Sequence, residues 1–144
     1  MKFNKIQSFA KINLTLKILK KLPNGYHEIE SLISKISLAD EILIKEVNGK
    51  KNKITFNGNF SSGISNSNTI SKLLKILIDQ NHIKNKKFNI KIKKNIPQSS
   101  GMGGGSMNAA SILNYFIKKK MIKTTKKGLI KIANKIGSDV ILGL

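Results

Sequence analysis

The sequence predicts a single domain of mixed α and β structure, with strands gathered in the first half and amphipathic helices in the second. Three observations predict it. Apolar and polar residues alternate at period two in several short stretches before residue 57 and again from 87 to 93. Apolar residues recur at helical spacing from 70, from 107 and from 125. A glycine-rich segment then joins the last alternating stretch to the helix behind it. The chain has 144 residues, near the modal size of one domain, and a chain of that length buries roughly 68–70% of its unfolded surface, so one real core is expected.

Taken in order, the start from Met1 to Gln7 is charged and mixed, without the apolar run of a signal peptide. From Asn13 to Ile18, polar Asn13, Thr15 and Lys17 alternate with Leu14, Leu16 and Ile18, which predicts a half-buried strand. Just before it, Lys11 and Asn13 share a face opposite Ile12 and Leu14. That face sets an ammonium beside a carboxamide, although a solvated strand face has the same pattern. Lys20 to His27 holds Pro23 and the Asn24-Gly25 pair and reads as a turn or loop. It ends in Tyr26 and His27, an aromatic face and a ring N–H that together suit a planar group such as a nucleobase, or plain packing. Ile29 to Ile36, Glu41 to Val47 and Lys53 to Phe56 read as strands, with turns at Ala39-Asp40 and Asn48-Gly49-Lys50.

Asn57 to Asn68 is rich in Gly, Ser and Asn and reads as a loop. Asn68 or Thr69 caps a helix whose Ile70, Leu73, Leu74, Leu77 and Ile78 fall on one stripe. Phe88, Ile90 and Ile92 alternate with lysines and Asn89 in a strand that leads to Lys94, Pro97 and the glycines. Met107, Ala110, Leu113 and Ile117 then mark a second helix. A third runs from Thr125 to Ile136, with Gly137 as its stop and Asp139 just beyond.

Composition narrows the function classes. The formal net charge is +20, and all 27 basic residues are lysine. They are spread along the chain, and lysines so spread mostly solvate faces, which weighs against a selected nucleic-acid patch. Arginine, the residue suited to bidentate phosphate and base-edge contacts, is missing, and stacking aromatics are few: six phenylalanines, two tyrosines and no tryptophan. Without cysteine there is no disulfide framework, thiolate nucleophile or cysteine metal site. No stretch approaches the roughly 18 apolar residues of a membrane helix, so a soluble, cytoplasmic protein is expected.

The segment from Ile96 to Ala110 carries the chemistry. Four of the eleven glycines lie within five residues, at Gly101, Gly103, Gly104 and Gly105, where a loop feeds a helix. Glycines permit close backbone approach, and the unpaired N–H groups of a first helical turn carry the positive end of the helix dipole, so an anion such as phosphate fits there. Two common phosphate motifs are excluded. A Walker loop needs a lysine behind its glycines, and a Rossmann fingerprint needs glycine where Ser106 stands. A protein-kinase glycine loop is excluded as well, because its His-Arg-Asp partner segment needs an arginine.

The pattern Pro97-x-x-x-Gly101-x-Gly103-Gly104-Gly105-Ser106-x-Asn108-Ala109-Ala110, with Ala10-Lys11-Ile12-Asn13-Leu14 and Gly25-Tyr26-His27-Glu28 before it and Gly137-Ser138-Asp139-Val140 after it, resembles the GHMP kinase superfamily. The matching motifs stand in the right order and span most of the chain. The resemblance implies an α+β two-layer sandwich related to a ribosomal S5-like domain, with the glycine loop at a helix start. It implies transfer of phosphate from ATP, with Mg2+, to a small-molecule alcohol, here a methylerythritol linked to cytidine diphosphate. By position, Lys11 and Asp139 correspond to the catalytic lysine and aspartate. Tyr26 and His27 correspond to the cytosine clamp, and Asn13 to a substrate contact. Asn68 and Lys94 line the nucleotide site, and Pro97, Gln98, Ser99, Ser100, Gly101, Met102, Gly103, Gly104, Gly105, Ser106 and Met107 form the ATP loop.

No metal ligand is assigned. The chain departs from the family at Gln98-Ser99-Ser100, where glycines are usual, and at Met107, where a second serine is common. Residues 1–144 are expected to be the N-terminal, ATP-binding domain, with a C-terminal domain lacking, and such a fragment is not expected to be fully active alone. The alternatives are an S5-like RNA-binding module and a kinase of the same superfamily with another alcohol substrate.

Overall fold

The computed structural model describes residues 2–144. Its elements are β1 (Asn4–Asn13), β2 (Lys17–Lys21), β3 (His27–Glu30), β4 (Ile33–Val47), β5 (Lys53–Asn57), α1 (Thr69–Asp79), β6 (Lys87–Lys93), α2 (Gly104–Lys118), α3 (Lys126–Ile136) and a closing 3-10 helix (Ser138–Gly143). Four strands make one sheet in the order β1-β4-β6-β5, antiparallel except for the parallel pair β5 and β6. A parallel pair requires a crossover, and α1 lies within it. The strands β2 and β3 form a separate hairpin.

The period-two and helical patterns meet in one core. Ile42 and Ile44 of β4 and Phe88, Ile90 and Ile92 of β6 are buried with Leu73 and Leu77 of α1, Leu113 and Phe116 of α2, and Ile132 and Ile136 of α3. Sheet and helix layers touch at Phe88 and Phe116, whose ring centroids are 4.8 Å apart. Each fully buried side chain of this size contributes about 1.5–3 kcal/mol relative to exposure. Between the buried positions of β6 stand Asn89 and Lys91, and the Lys91 ammonium lies over the Phe3 ring. One layer of sheet under one layer of helices is the expected two-layer α+β sandwich.

Helix boundaries follow their signals. Asn68 caps α1, its carboxamide oxygen accepting from the N–H groups of Ile70 and Ser71 at 3.0 Å each, while the Ser71 hydroxyl accepts from the Asn68 N–H. Thr125 caps α3 through the Gly128 N–H, and α3 ends at Ile136 as expected.

Four expectations are corrected. Asn13 to Ile18 is not one strand: β1 runs back to Asn4, and the chain leaves it after Asn13. There the Leu14 N–H donates to the Leu32 carbonyl at 2.7 Å, outside any ladder, and Leu14, Leu16 and Ile18 are exposed, so the alternation did not mark a buried face. The strand expected over Ile29 to Ile36 is interrupted at Ser31-Leu32 for the same reason, because both residues bond back to Thr15. Ala39-Asp40 is not a turn; it lies inside the fifteen-residue β4. A buried aspartate in mid-strand is tolerated because its carboxylate meets four donors, described below. The loop expected over Lys20 to His27 is shorter. Lys20 and Lys21 belong to β2 and His27 to β3, and the turn between them is closed by bonds from the Leu22 N–H to the Tyr26 carbonyl and from the Gly25 N–H to the Leu22 carbonyl.

Candidate active site

β6 ends at Lys93, and the chain from Lys94 to Gly103 turns back to begin α2 at Gly104. Gly103 takes the cap position in the left-handed region, with φ 69°, and no side chain among the described residues caps this helix. The N–H groups of the first turn therefore point outward without a side-chain acceptor. Both glycines at this joint also make room. A Cβ on Gly103 would stand 3.2 Å from Lys11 Cγ, and one on Gly104 would stand 3.1 Å from Lys94 Nζ. Two lysine side chains thus run close against the loop backbone.

The loop, the start of α1 and the closing 3-10 helix surround a cleft of about 520 Å3. Its walls include Asn68 and Thr69, Lys94, Pro97 through Gly101, Gly103 through Ser106, Asn108 and Asp139. Two contacts hold the rim. The Thr69 hydroxyl donates to the Gly105 carbonyl at 2.8 Å, and the Gln98 carboxamide donates to the carbonyls of Phe60 and Ser62. Gln98, which departs from the family pattern, thereby ties the loop to the segment before α1.

Lys11 enters from the other side. The register between β1 and β4 shifts between Phe9 and Lys11, and this irregularity leaves both Ala10 and Lys11 buried where a plain strand would send them to opposite faces. The Lys11 backbone N–H donates to the Met102 carbonyl at 3.1 Å, which fixes β1 to the loop. The Lys11 ammonium lies 3.5 Å from an Asp139 carboxylate oxygen and donates to the Asn13 carboxamide at 2.7 Å. Asn13 in turn donates to the Ser31 hydroxyl. The lysine side chain is 8% exposed and that of Asp139 40%, so the cation is held and the carboxylate faces solvent. Asp139 is carried by the closing helix, which is seated on α2 through the buried Val140 and a bond from the Asn114 carboxamide to the Gly143 carbonyl.

The structure therefore brings Lys11, Asn13 and Asp139 together beside the cleft, and puts Asn68, Lys94 and most of the loop in its walls. Met102 and Met107 do not line it. The Met107 side chain is buried in the core, and its N–H is taken by the Gly103 carbonyl. Tyr26 and His27 do not line it either. They sit on the exposed hairpin, Tyr26 at 68% exposure on the turn and His27 opposite Lys21. Asn68 lines the cleft while its carboxamide oxygen is engaged in the α1 cap.

Sequence reasoning missed three residues around the cleft. Thr69 was read only as a cap, and Asn108 only as part of a motif. Asp40 was read as a turn, although it stands two and four residues before Ile42 and Ile44, on their buried face. That spacing was the available signal.

Residues 68–144 match the model of the GHMP kinases N terminal domain, more than half of the chain, and the chain belongs to the GHMP kinase family. Its sequence relatives are more particular. It is 60% identical over 140 residues to a 4-diphosphocytidyl-2-C-methyl-D-erythritol kinase of Pelagibacter ubique, and 39% identical over 135 residues to one of Fervidobacterium nodosum. Those alignments cover 97% and 94% of this chain but 50% and 46% of the relatives, so the chain spans about half the length of the curated proteins it matches. Among solved structures it is similar to a 4-(cytidine 5'-diphospho)-2C-methyl-D-erythritol kinase, with TM-score 0.76 at 24% identity, covering 97% of this chain and 48% of that one. It is also similar to a mevalonate kinase from Staphylococcus aureus, with TM-score 0.62 at 18% identity, covering 94% and 45%. These structural likenesses support the fold.

Proposed function

We propose that this chain is the ATP-binding half of an enzyme that transfers the γ-phosphate of ATP to the 2-hydroxyl of 4-diphosphocytidyl-2-C-methyl-D-erythritol, a cytoplasmic step of non-mevalonate isoprenoid synthesis. The observation that carries the reading is the meeting of Lys11 and Asp139 at 3.5 Å beside an uncapped, glycine-lined helix start. The high identity to kinases of that name supports the acceptor.

Phosphoryl transfer asks a protein mainly for positioning and charge stabilisation. The first-turn N–H groups of α2 and the Lys94 ammonium hold the phosphates in the cleft. Asp139, half open to solvent, accepts the proton of the acceptor hydroxyl as the phosphorus-oxygen bond forms. Lys11 keeps that carboxylate oriented and offsets charge at the transferring group. Tyr26 stacks on the cytosine and His27 hydrogen-bonds its edge, at the tip of the exposed hairpin, and Asn13 contacts the acceptor.

The cleft suits ATP, because a helix start without a side-chain cap and the Lys94 ammonium both stand in its wall. Asp139 is the carboxylate in the cleft that would face Mg2+ carried in on the phosphates. When bound, Mg2+ neutralises charge on the phosphates. Among the described residues no helix is long and apolar enough to cross a membrane.

The test is equilibrium binding of Mg2+-ATP to the chain, with transfer to the cytidylated acceptor followed by a coupled assay on a full-length protein that carries it. Saturable ATP binding that is lost on Gly104→Val is expected. Absence of ATP binding together with tight, steeply salt-dependent binding of mixed RNA would replace this reading with the S5-like RNA-binding one.

A further inference from the structure

Behind the cleft wall lies a buried carboxylate that takes no part in the chemistry above. Asp40 is fully buried in the middle of β4. One of its oxygens accepts the backbone N–H groups of Asn95 and Ile96 at 2.8 and 2.9 Å. The other accepts the Lys94 ammonium and the Asn108 carboxamide, the latter at 2.9 Å. Lys94 is itself 4% exposed, yet it and Asn108 both line the cleft.

Asp40 thus grips three separate parts of the site: the strand-to-loop joint, a cation at the helix start, and the first buried turn of α2. A buried carboxylate with an ammonium partner is expensive to desolvate, and replacing such a pair by apolar residues is often neutral or stabilising. Stability alone therefore gives little reason for the pair. Its geometry gives another. With its amide hydrogens directed at Asp40, Asn108 leaves its carbonyl oxygen without a donor among the described residues. The Lys94 ammonium, tethered on one side by Asp40, keeps N–H bonds for a guest.

We infer that Asp40 is a positioning residue of the nucleotide cleft, acting through Lys94 and Asn108: it fixes the ammonium beside Gly104 and holds the buried carboxamide in one orientation, so that the cation is set before any nucleotide arrives. The inference rests on the reading of this cleft as an ATP site.

A double-mutant cycle on the whole chain tests it, with Asp40→Asn, Lys94→Met and the double variant, reading the dissociation constant of Mg2+-ATP by calorimetry. Asp40→Asn retains shape and the two backbone hydrogen bonds while removing the charge and the acceptor that Lys94 and Asn108 share. It is expected to weaken ATP binding by about tenfold or more, the value of one charge-assisted hydrogen bond. In the Lys94→Met background the same change should cost little further. Independent effects that multiply in the double variant overturn the inference.

A second measurement needs no variant. In 1H–15N spectra of the wild type, the Lys94 ammonium should exchange slowly with water, show contacts to the Gly104 α protons and the Asn108 amide, and shift on ATP addition. A Lys94 signal that exchanges like the surface lysines, or is unmoved at ATP saturation, overturns the inference even if Asp40→Asn does not fold. A wild type that shows the protected ammonium but binds no ATP overturns the nucleotide reading and the inference with it. Binding with additive variants overturns the inference alone.

Discussion

Two lysine-aspartate pairs stand at the start of α2, one beside Gly104 and one beside Gly103, and they are built differently. In Lys94 and Asp40 both partners are buried, and the carboxylate is saturated by two backbone N–H groups, an ammonium and a carboxamide. In Lys11 and Asp139 the lysine is buried but the aspartate is 40% exposed, the separation is 3.5 Å, and the carboxylate keeps room for a further proton donor. The carboxylate of the first pair has no free valence to offer and that of the second does. Pairing of the same two residue types thus makes a closed frame in one place and an open carboxylate in the other, and what decides is how many other donors the carboxylate meets.

The comparison predicts opposite responses to similar substitutions. Asp139→Asn should lower phosphoryl transfer by about 10²–10⁴-fold, the range for a general base, while the denaturant midpoint barely moves. Comparable turnover in wild type and variant would remove Asp139 as the base. Lys94→Met should destabilise the fold by about 3–5 kcal/mol in urea unfolding, because it strands a buried carboxylate. A loss below 1 kcal/mol would mean that the frame is as loose as the open pair. Gly104→Ala presses a methyl group on Lys94 Nζ and Ile96, for a cost of about 1–3 kcal/mol that should shrink once Lys94 is also replaced. Lys11→Met should change stability by less than about 1 kcal/mol, since its aspartate is free to meet water, even as transfer collapses. The smallest change in stability is expected for Tyr26→Ala at the exposed hairpin tip. There the acceptor KM should rise strongly while the melting temperature stays within error, and an unchanged KM would remove the base clamp.

Much of this was legible in the sequence because it rests on local signals. The glycine loop, the Asn68 cap, the stripes of α1, α2 and α3, and the alternation in β6 each depend on neighbours within a few residues, and each stands where its pattern put it. The shared face of Lys11 and Asn13 is realised as a 2.7 Å hydrogen bond. The misses depend on partners far along the chain. Asp40 has little strand propensity, and only donors from residues 94, 95, 96 and 108 make its burial tolerable. Leu14, Leu16 and Ile18 alternate as a buried strand would, yet their apolar side chains are exposed. No window of neighbouring residues distinguishes those two situations.

The missing cap of α2 has a further consequence. Most helices close their first turn with a side chain of their own; this one begins at a left-handed glycine and leaves that position open. A bound phosphate would then be the cap, and the helix it completes is the one whose Leu113 and Phe116 fill the core. Nucleotide should therefore slow amide hydrogen exchange well beyond the cleft, along α2 and into the β6 residues packed beneath it. On the proposed reading, the guest's charge would also be a structural part, fitted last.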